Sequence, residues 1–448
     1  MTFKGPVIRK VIIDVRGRYA INFTQILSRG KKPMNYPTFY GAKQRFDVAT
    51  IKDVARAVRN EFANFKPGPK IRAGQRVAVG VGSRGTHDLK VLVATVVECL
   101  RAMQLKPYII PAMGSHGAAT AEGQAQVLAE LGITEESVKA PIVSNMDVVS
   151  LGRIESGAEV FFAKDALAAD HIVVINRVKP HTAFRAEVES GLCKILAVGC
   201  GRQKGAENMH KYDLGKTIVP AARLIMRKTS VLCGLAVTEN ALGGTHSIEL
   251  AAPEDFVGVD RRFLEMAWSL LPKLPLDDLD ILLVDEMGKN VSGAGMDPNV
   301  IGFWRREGGP RIPDYRILIV LDLTPHSHGN ATGIGMADLT TRRVIDQIDW
   351  NATYMNVFTS GILRSARMPI PLENDRAAVE VALARVPVPT KARMARIANT
   401  GELVSFWASE ALLPELRANA NLTVGNQPLE LRFNADGRLA PLGNREAV

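Results

Sequence analysis

The sequence predicts a two-domain α/β protein, and three observations lead there. The chain has 448 residues, more than one ordinary core organises, so two units of roughly 150–250 residues follow. From residue 71 to about 275, short β-branched runs alternate with helical periodicity, the pattern of a largely parallel sheet covered by helices on both faces. At residues 271–278 (LPKLPLDD) two prolines interrupt a helix that begins near Asp260, and a second unit starts beyond them.

The expected division is an N-terminal unit over residues 1–272 with a doubly wound, mostly parallel sheet, and a smaller α/β unit over 277–420. A tail at 421–448 is expected to pack back on the first unit, and the active site to lie in the cleft between the two.

Residues 77–81 (VAVGV) read as a buried strand, and 89–104, rich in Val and Leu, as the following helix. Residues 108–112 are the next strand, followed by the turn Gly114-Ser115-His116-Gly117 and a helix near 122–131. Strands at 171–176 (HIVVIN) and 231–238 complete the first sheet. In the second unit, 281–284 and 317–321 read as strands, and 352–363, 377–384 and 405–416 as helices. The stretch 422–433 reads as a short hairpin or an extended packing strand.

Composition narrows the function. A hydrophobic fraction of 46% and a charged fraction of 23%, with mean hydropathy near zero, describe a globular protein. No apolar run approaches the ~20 residues that a bilayer span needs. Charges break the N-terminal stretch before a signal-like apolar run builds up, so a cytoplasmic protein is expected. The four cysteines, Cys99, Cys193, Cys200 and Cys233, make neither a disulfide framework nor paired CxxC clusters and read as reduced thiols. Of the net charge of +10, residues 1–72 hold 16 Lys/Arg against 4 Asp/Glu, leaving the rest slightly acidic. The basic residues are interspersed with apolar ones, and no nucleic-acid motif accompanies them. A solvated face, or one that steers a small anion, is expected rather than a nucleic-acid partner.

Open α/β sheets bind ligands beyond the carboxyl ends of their strands. The strand at 77–81 runs into Gly82-Ser83-Arg84-Gly85, that at 108–112 into the His116 turn, and that at 171–176 into Arg177-Val178-Lys179-Pro180-His181. One cleft therefore receives Arg84, His116 and His181. Backbone N–H groups at Ser83 and Gly85 suit an anion, with Arg84 adding a charged fork, although an ordinary glycine turn reads equally well. His116 between glycines is a candidate base; its plainer alternative is a turn histidine. Lys194 lies among apolar residues (GLCKILAVG), where a lysine is neutralised, paired, covalently used, or else snorkels to the surface. His210 is a candidate metal ligand or base, or a surface histidine.

This order of an Arg loop, a G-x-H turn, Pro180-His181, the run Ser190-Gly191-Leu192-Cys193-Lys194 and His210 resembles the nickel-dependent lactate racemase family, over about residues 80–335. The resemblance implies a racemase or epimerase that inverts C2 of a 2-hydroxy acid by hydride transfer to a nickel-pincer nucleotide. That cofactor is a pyridinium mononucleotide bearing two thioacid arms and made by dedicated cofactor-synthesis enzymes in the cell. It further implies that Lys194 tethers the cofactor, His210 ligates nickel, and His116 and His181 are the two acid/base groups. Arg84, with Lys289 from the second unit, would bind the substrate carboxylate.

The chain departs from the family in GSRGTH at the arginine loop, in a longer loop before Lys194 and in Leu192. These changes flank the substrate site, so a 2-hydroxy acid larger or more polar than lactate, such as a sugar acid, is expected. His326 and His328, at i and i+2, would share one side of an extended chain, and residues 287–299 form a similar polar loop. Turn chemistry and packing between units account for both as well. Two other functions compete: a zinc hydrolase built on His116, His181 and His210, and a non-catalytic small-acid-binding protein.

Overall fold

The computed structural model describes residues 34–46, 48–66, 71–83 and 85–441. In chain order its first part comprises β1 (Phe39–Gln44), α1 (Val54–Asn64), β2 (Arg76–Val81), α2 (Leu89–Ala102), β3 (Lys106–Pro111) and α3 (Ala121–Glu130). A hairpin of β4 (Val148–Arg153) and β5 (Glu159–Ala163) precedes β6 (His171–Arg177). Then follow α4 (Arg202–His210), α5 (Leu214–Lys228), β7 (Val231–Glu239), β8 (Thr245–Ala251) and α6 (Phe256–Leu270).

The first sheet runs β3-β2-β6-β7-β8, parallel except for β8, which pairs antiparallel with β7. Its strands are apolar on both faces because both are covered. Val77, Val79 and Val81 point into a core with α1 and α2, whereas Ala78 and Ile110 point into a second core with α5 and α6. Gly80 is small for a reason: a Cβ there would meet Val174 at 3.3 Å. The doubly wound, mostly parallel sheet expected from the sequence is present.

The second part comprises β9 (Asp278–Val284), β10 (Asp314–Val320), β11 (Leu339–Thr341), α7 (Trp350–Ser360), β12 (Ile370–Leu372), α8 (Asp375–Leu383), β13 (Met394–Ile397), β14 (Ser405–Ser409), α9 (Leu413–Ala418) and β15 (Leu422–Val424). Its eight-stranded sheet runs β12-β11-β10-β9-β13-β14-β1-β15. The strands from β12 to β13 are parallel, and the remaining pairings are antiparallel.

Three expectations are corrected here. Residues 405–409, expected as the start of a helix, form β14. Phe406 and Ala408 enter one core and Trp407 the opposite one, the alternation of a strand held between β13 and β1. The described part of the tail, 421–441, joins the second sheet and not the first: β15 pairs with β1, and Leu429, Leu431 and Phe433 join the core beside α8. Finally, the units are not contiguous in sequence, because β1 from the N-terminal region sits inside the second sheet. The unit expected to be smaller therefore carries the larger sheet.

Candidate active site

In the first sheet β3 and β6 lie on opposite sides of β2, so the connections leaving β2 and β6 diverge. Such a switch point opens a crevice at the strands' carboxyl ends. Ser83 follows β2, His116 follows β3 and His181 follows β6.

Ser83 and His116 meet: the serine Oγ lies 2.5 Å from the imidazole Nδ1. His116 is exposed, with its Nε2 edge turned from the serine. Gly85, also exposed, belongs to the same loop. Arg84 lies outside the described residues.

His181 is held by its neighbours. Its backbone N–H donates to Glu189 Oε2 at 2.7 Å, and its Nδ1 accepts the Ala183 N–H at 3.1 Å. The neutral ring therefore carries its proton on Nε2. The ring also packs on Phe184, with centroids 4.3 Å apart. Lys194 Nζ lies 5.4 Å from the centroid of that same Phe184 and donates to Glu189 O at 3.3 Å. His181 and Lys194 thus flank one aromatic ring. Glu189 is buried, which pushes its carboxyl pKa up despite the neighbouring Arg185 and Lys194.

Lys194 ends a helical turn, Leu192–Lys194, that continues as one turn of π-helix, Ile195–Gly199, closed by Cys200 N–H to Ile195 O at 2.8 Å. Asp260 of α6 starts this helix. Its two carboxylate oxygens accept the N–H groups of Leu192 and Cys193 at 2.7 and 2.8 Å. Full burial of Asp260 raises its pKa to about 7. Gly191 supplies a φ of +91°, and a Cβ there would lie 2.1 Å from Asp260 Oδ1, so only glycine fits.

His210 closes α4. Its Nδ1 sits 2.6 Å from Ala206 O, an acceptor, so Nδ1 carries the proton and Nε2 keeps its lone pair. Desolvation of the ring lowers its pKa against the Ala206 hydrogen bond, and the Lys194 ammonium pushes in the same downward direction. One ring nitrogen is thus pinned to a carbonyl, a condition that a metal-ligating histidine would meet. A single protein ligand and a nearby amine match the donor set of a lysine-tethered metal cofactor. The zinc alternative fails: among the described residues no three His, Cys, Asp or Glu side chains gather to hold a metal, so His116, His181 and His210 do not form a zinc set. The four cysteines are free thiols.

From the second unit, Lys289 Nζ donates to Gly293 O at 2.7 Å and to Asn356 Oδ1 at 2.9 Å, bracing its own loop. The residue of that region that reaches His181 is Asn299, whose Nδ2 donates to His181 O at 3.5 Å. Arg185 joins the same contact. It donates to His181 O and Asn299 Oδ1 while its guanidinium lies over the rings of Phe303 and Trp268. His326 and His328 do not share an extended chain; they sit on an exposed 3₁₀ turn whose Ser327 bonds inward to Thr324 and the Lys289 N–H. A cleft of about 660 Å³ does open between the units, lined by Arg177, Lys179, Glu239, Asp297, Thr400 and Glu402 among others. None of the candidate catalytic residues lines it.

Sequence reasoning missed Asp260, Glu189, Arg185 and Asn299. The Arg185–Glu189 spacing of four residues, which forms an ion pair at 3.6 Å, was the one available sign. Asp260 and Asn299 act on residues far away in sequence, and nothing local marks them.

Residues 82–265 match a family described as a domain of unknown function, DUF362. That span contains each candidate site residue except Lys289. A solved structure, the lactate racemase apoprotein from Thermoanaerobacterium thermosaccharolyticum, is similar at 12% identity over 80% of this chain and 94% of that one, with a TM-score of 0.49. At that level the likeness says nothing about the reaction. A comparison with curated proteins finds no match. Among the described residues no helix is long and apolar enough to cross a membrane.

Proposed function

We propose that the protein is a 2-hydroxyacid racemase or epimerase that holds a nickel-pincer nucleotide through Lys194 and His210. The observation that carries this reading is the helical segment 192–210. It carries the Lys194 amine and a histidine whose Nδ1 is pinned to Ala206 O, so that the lone pair of the neutral ring is on Nε2. When bound, such a cofactor supplies the electron-pair acceptor for the hydrogen at C2, chemistry that no side chain provides.

The chain's own residues do the rest. Lys194 supplies the tethering amine and His210 Nε2 the metal lone pair. His181 is the second proposed acid/base group, and in the neutral tautomer its Nε2–H is set to donate a hydrogen bond to the substrate oxygen. Where Ser83 accepts from Nδ1 of His116, the His116 Nε2 is set to remove a proton. Inversion needs both roles, because each enantiomer presents its hydroxyl to a different side. Arg84, between Ser83 and Gly85 in the sequence, is the proposed carboxylate ligand, with Lys289 as its counterpart from the second unit. The small anionic 2-hydroxy acid is proposed to be larger or more polar than lactate, and the protein to work in the cytoplasm on cofactor made there by its synthesis enzymes.

The test is to produce the protein in a host that makes the cofactor. Mass spectrometry of the Lys194 peptide, nickel content and loss of optical purity across a panel of 2-hydroxy acids would then be measured. An adduct on Lys194, stoichiometric nickel and racemisation of a panel member are expected. Unmodified Lys194 without nickel, while a known pincer enzyme from the same host is loaded, would sink the reading.

A further inference from the structure

We propose that Arg202 and Gln124 are positioning residues that lock the His116 turn to the helix carrying His210. The inference rests on the reading of His116 as an acid/base group and adds to it what holds that group still.

Arg202 opens α4 and is fully buried. Its φ of +55° lies in the left-handed region that a non-glycine residue rarely adopts. A buried guanidinium needs acceptors, and this one has two. Nη2 donates to Asp165 Oδ2 at 2.5 Å and Nη1 to Gln124 Oε1 at 3.2 Å. Asp165 is itself fixed: its Oδ1 accepts the Ala166 N–H at 2.9 Å, and its carbonyl accepts the Tyr108 hydroxyl at 2.5 Å.

Because arginine only donates, Gln124 must turn its oxygen to Arg202 and its amide nitrogen the other way. That nitrogen donates to Gly114 O at 2.8 Å and His116 O at 3.3 Å. The turn it grips is strained. Gly117, Ala118 and Ala119 have φ of 65°, 53° and 56°, a left-handed run that holds alanine at two positions. Gly114 is tied in addition by its N–H to Gly199 O at 3.1 Å, in the π-helical turn after Lys194. Strain persists only where the surroundings over-determine the conformation. Here one buried amide, oriented by one buried arginine, does so. The Asp165–Arg202–Gln124 chain joins the β3 turn to the start of α4, so His116 and the helix bearing His210 are held in register.

The decisive variant is Gln124→Glu. An ionised carboxylate keeps an acceptor for Arg202 but has no N–H for Gly114 O and His116 O, and it adds a buried negative charge to the Arg202–Asp165 pair. If the pair positions His116, amide exchange across residues 114–120 of the folded variant rises at least about tenfold while the strands of the first sheet keep their protection. The ¹⁵N signals of the His116 ring also shift toward tautomer averaging as the Ser83 contact loosens. Unchanged exchange and unchanged ring signals in a folded variant would overturn the proposal. Should Gln124→Glu not fold, Gln124→Met, which removes donor and acceptor together, is read in the same way. Neither readout uses turnover. A loosened turn in a protein without racemase activity would therefore sink the proposed function and leave the positioning role standing.

Discussion

Ser83 Oγ and His116 Nδ1, delivered by the loops after two adjacent parallel strands, stand 2.5 Å apart. The hydroxyl contacts Nδ1 and so fixes the ring's rotation. Removing it frees the ring without emptying the core. Ser83→Ala is expected to lower kcat for racemisation about tenfold, the worth of roughly one orienting hydrogen bond, with KM little changed. Steady-state kinetics on the substrate found in the panel checks this; an unchanged kcat would mean the contact is incidental.

His116 and His181 follow different strands, and under the proposed function each serves one enantiomer. His116→Ala and His181→Ala are each expected to cut racemisation by about 100-fold or more. Stopped reactions started from each pure enantiomer give the readout. Full activity in either variant rules that histidine out.

Asp260 gives a pH signature. Its folded pKa of about 7 lies above the ordinary carboxyl value, so the protein holds this proton more tightly folded than unfolded. Its contribution to stability is complete below the unfolded pKa, near 4, and is lost as pH rises through about 7. In that window the slope from this one group is at most about 1.4 kcal/mol per pH unit. Asp260→Asn should flatten the dependence of urea-unfolding free energy between those values. A variant that keeps the wild-type slope would assign it to another group.

Gly191 allows α6 to approach the helix that carries Lys194. Gly191→Ala places a methyl 2.1 Å from Asp260 Oδ1 at a φ of +91°. We expect destabilisation of about 3 kcal/mol or more, or loss of folding, by chemical denaturation. A change under about 1 kcal/mol would show that the cap yields easily.

Arg185, packed on Trp268 of its own unit, reaches the second unit at Asn299 and Phe303. Arg185→Ala is expected to cost about 2 kcal/mol, partly cation–π and partly hydrogen bonding, and to raise protease sensitivity at the 178–190 loop. Unaltered denaturation and proteolysis would place the contact among incidental surface pairs.

The sequence alone determined the first sheet. Runs such as VAVGV and the IVVI of HIVVIN are apolar at successive positions because both faces are covered, so β2, β3, β6 and β7 and the loops at their ends were legible, and with them Ser83, His116 and His181. Lys194 and His210 were legible as chemistry, from a lysine among apolar residues and a histidine past a glycine turn. The helix that carries them was not, because it begins only where Asp260, 68 residues away, caps it.

Tertiary structure decided everything that depends on distant partners. The segment 405–409 has a mixed apolar pattern that suits helix or strand, and β1 and β13 settle it by offering unpaired edges. The place of β1 and β15 in the second sheet, the grip of Arg202 and Gln124 on the His116 turn, and the meeting of Asn299 with His181 are likewise long-range. Local periodicity records which face a residue turns inward. It does not record which residue waits there, and hydrogen bonds between buried polar groups are decided by that second fact.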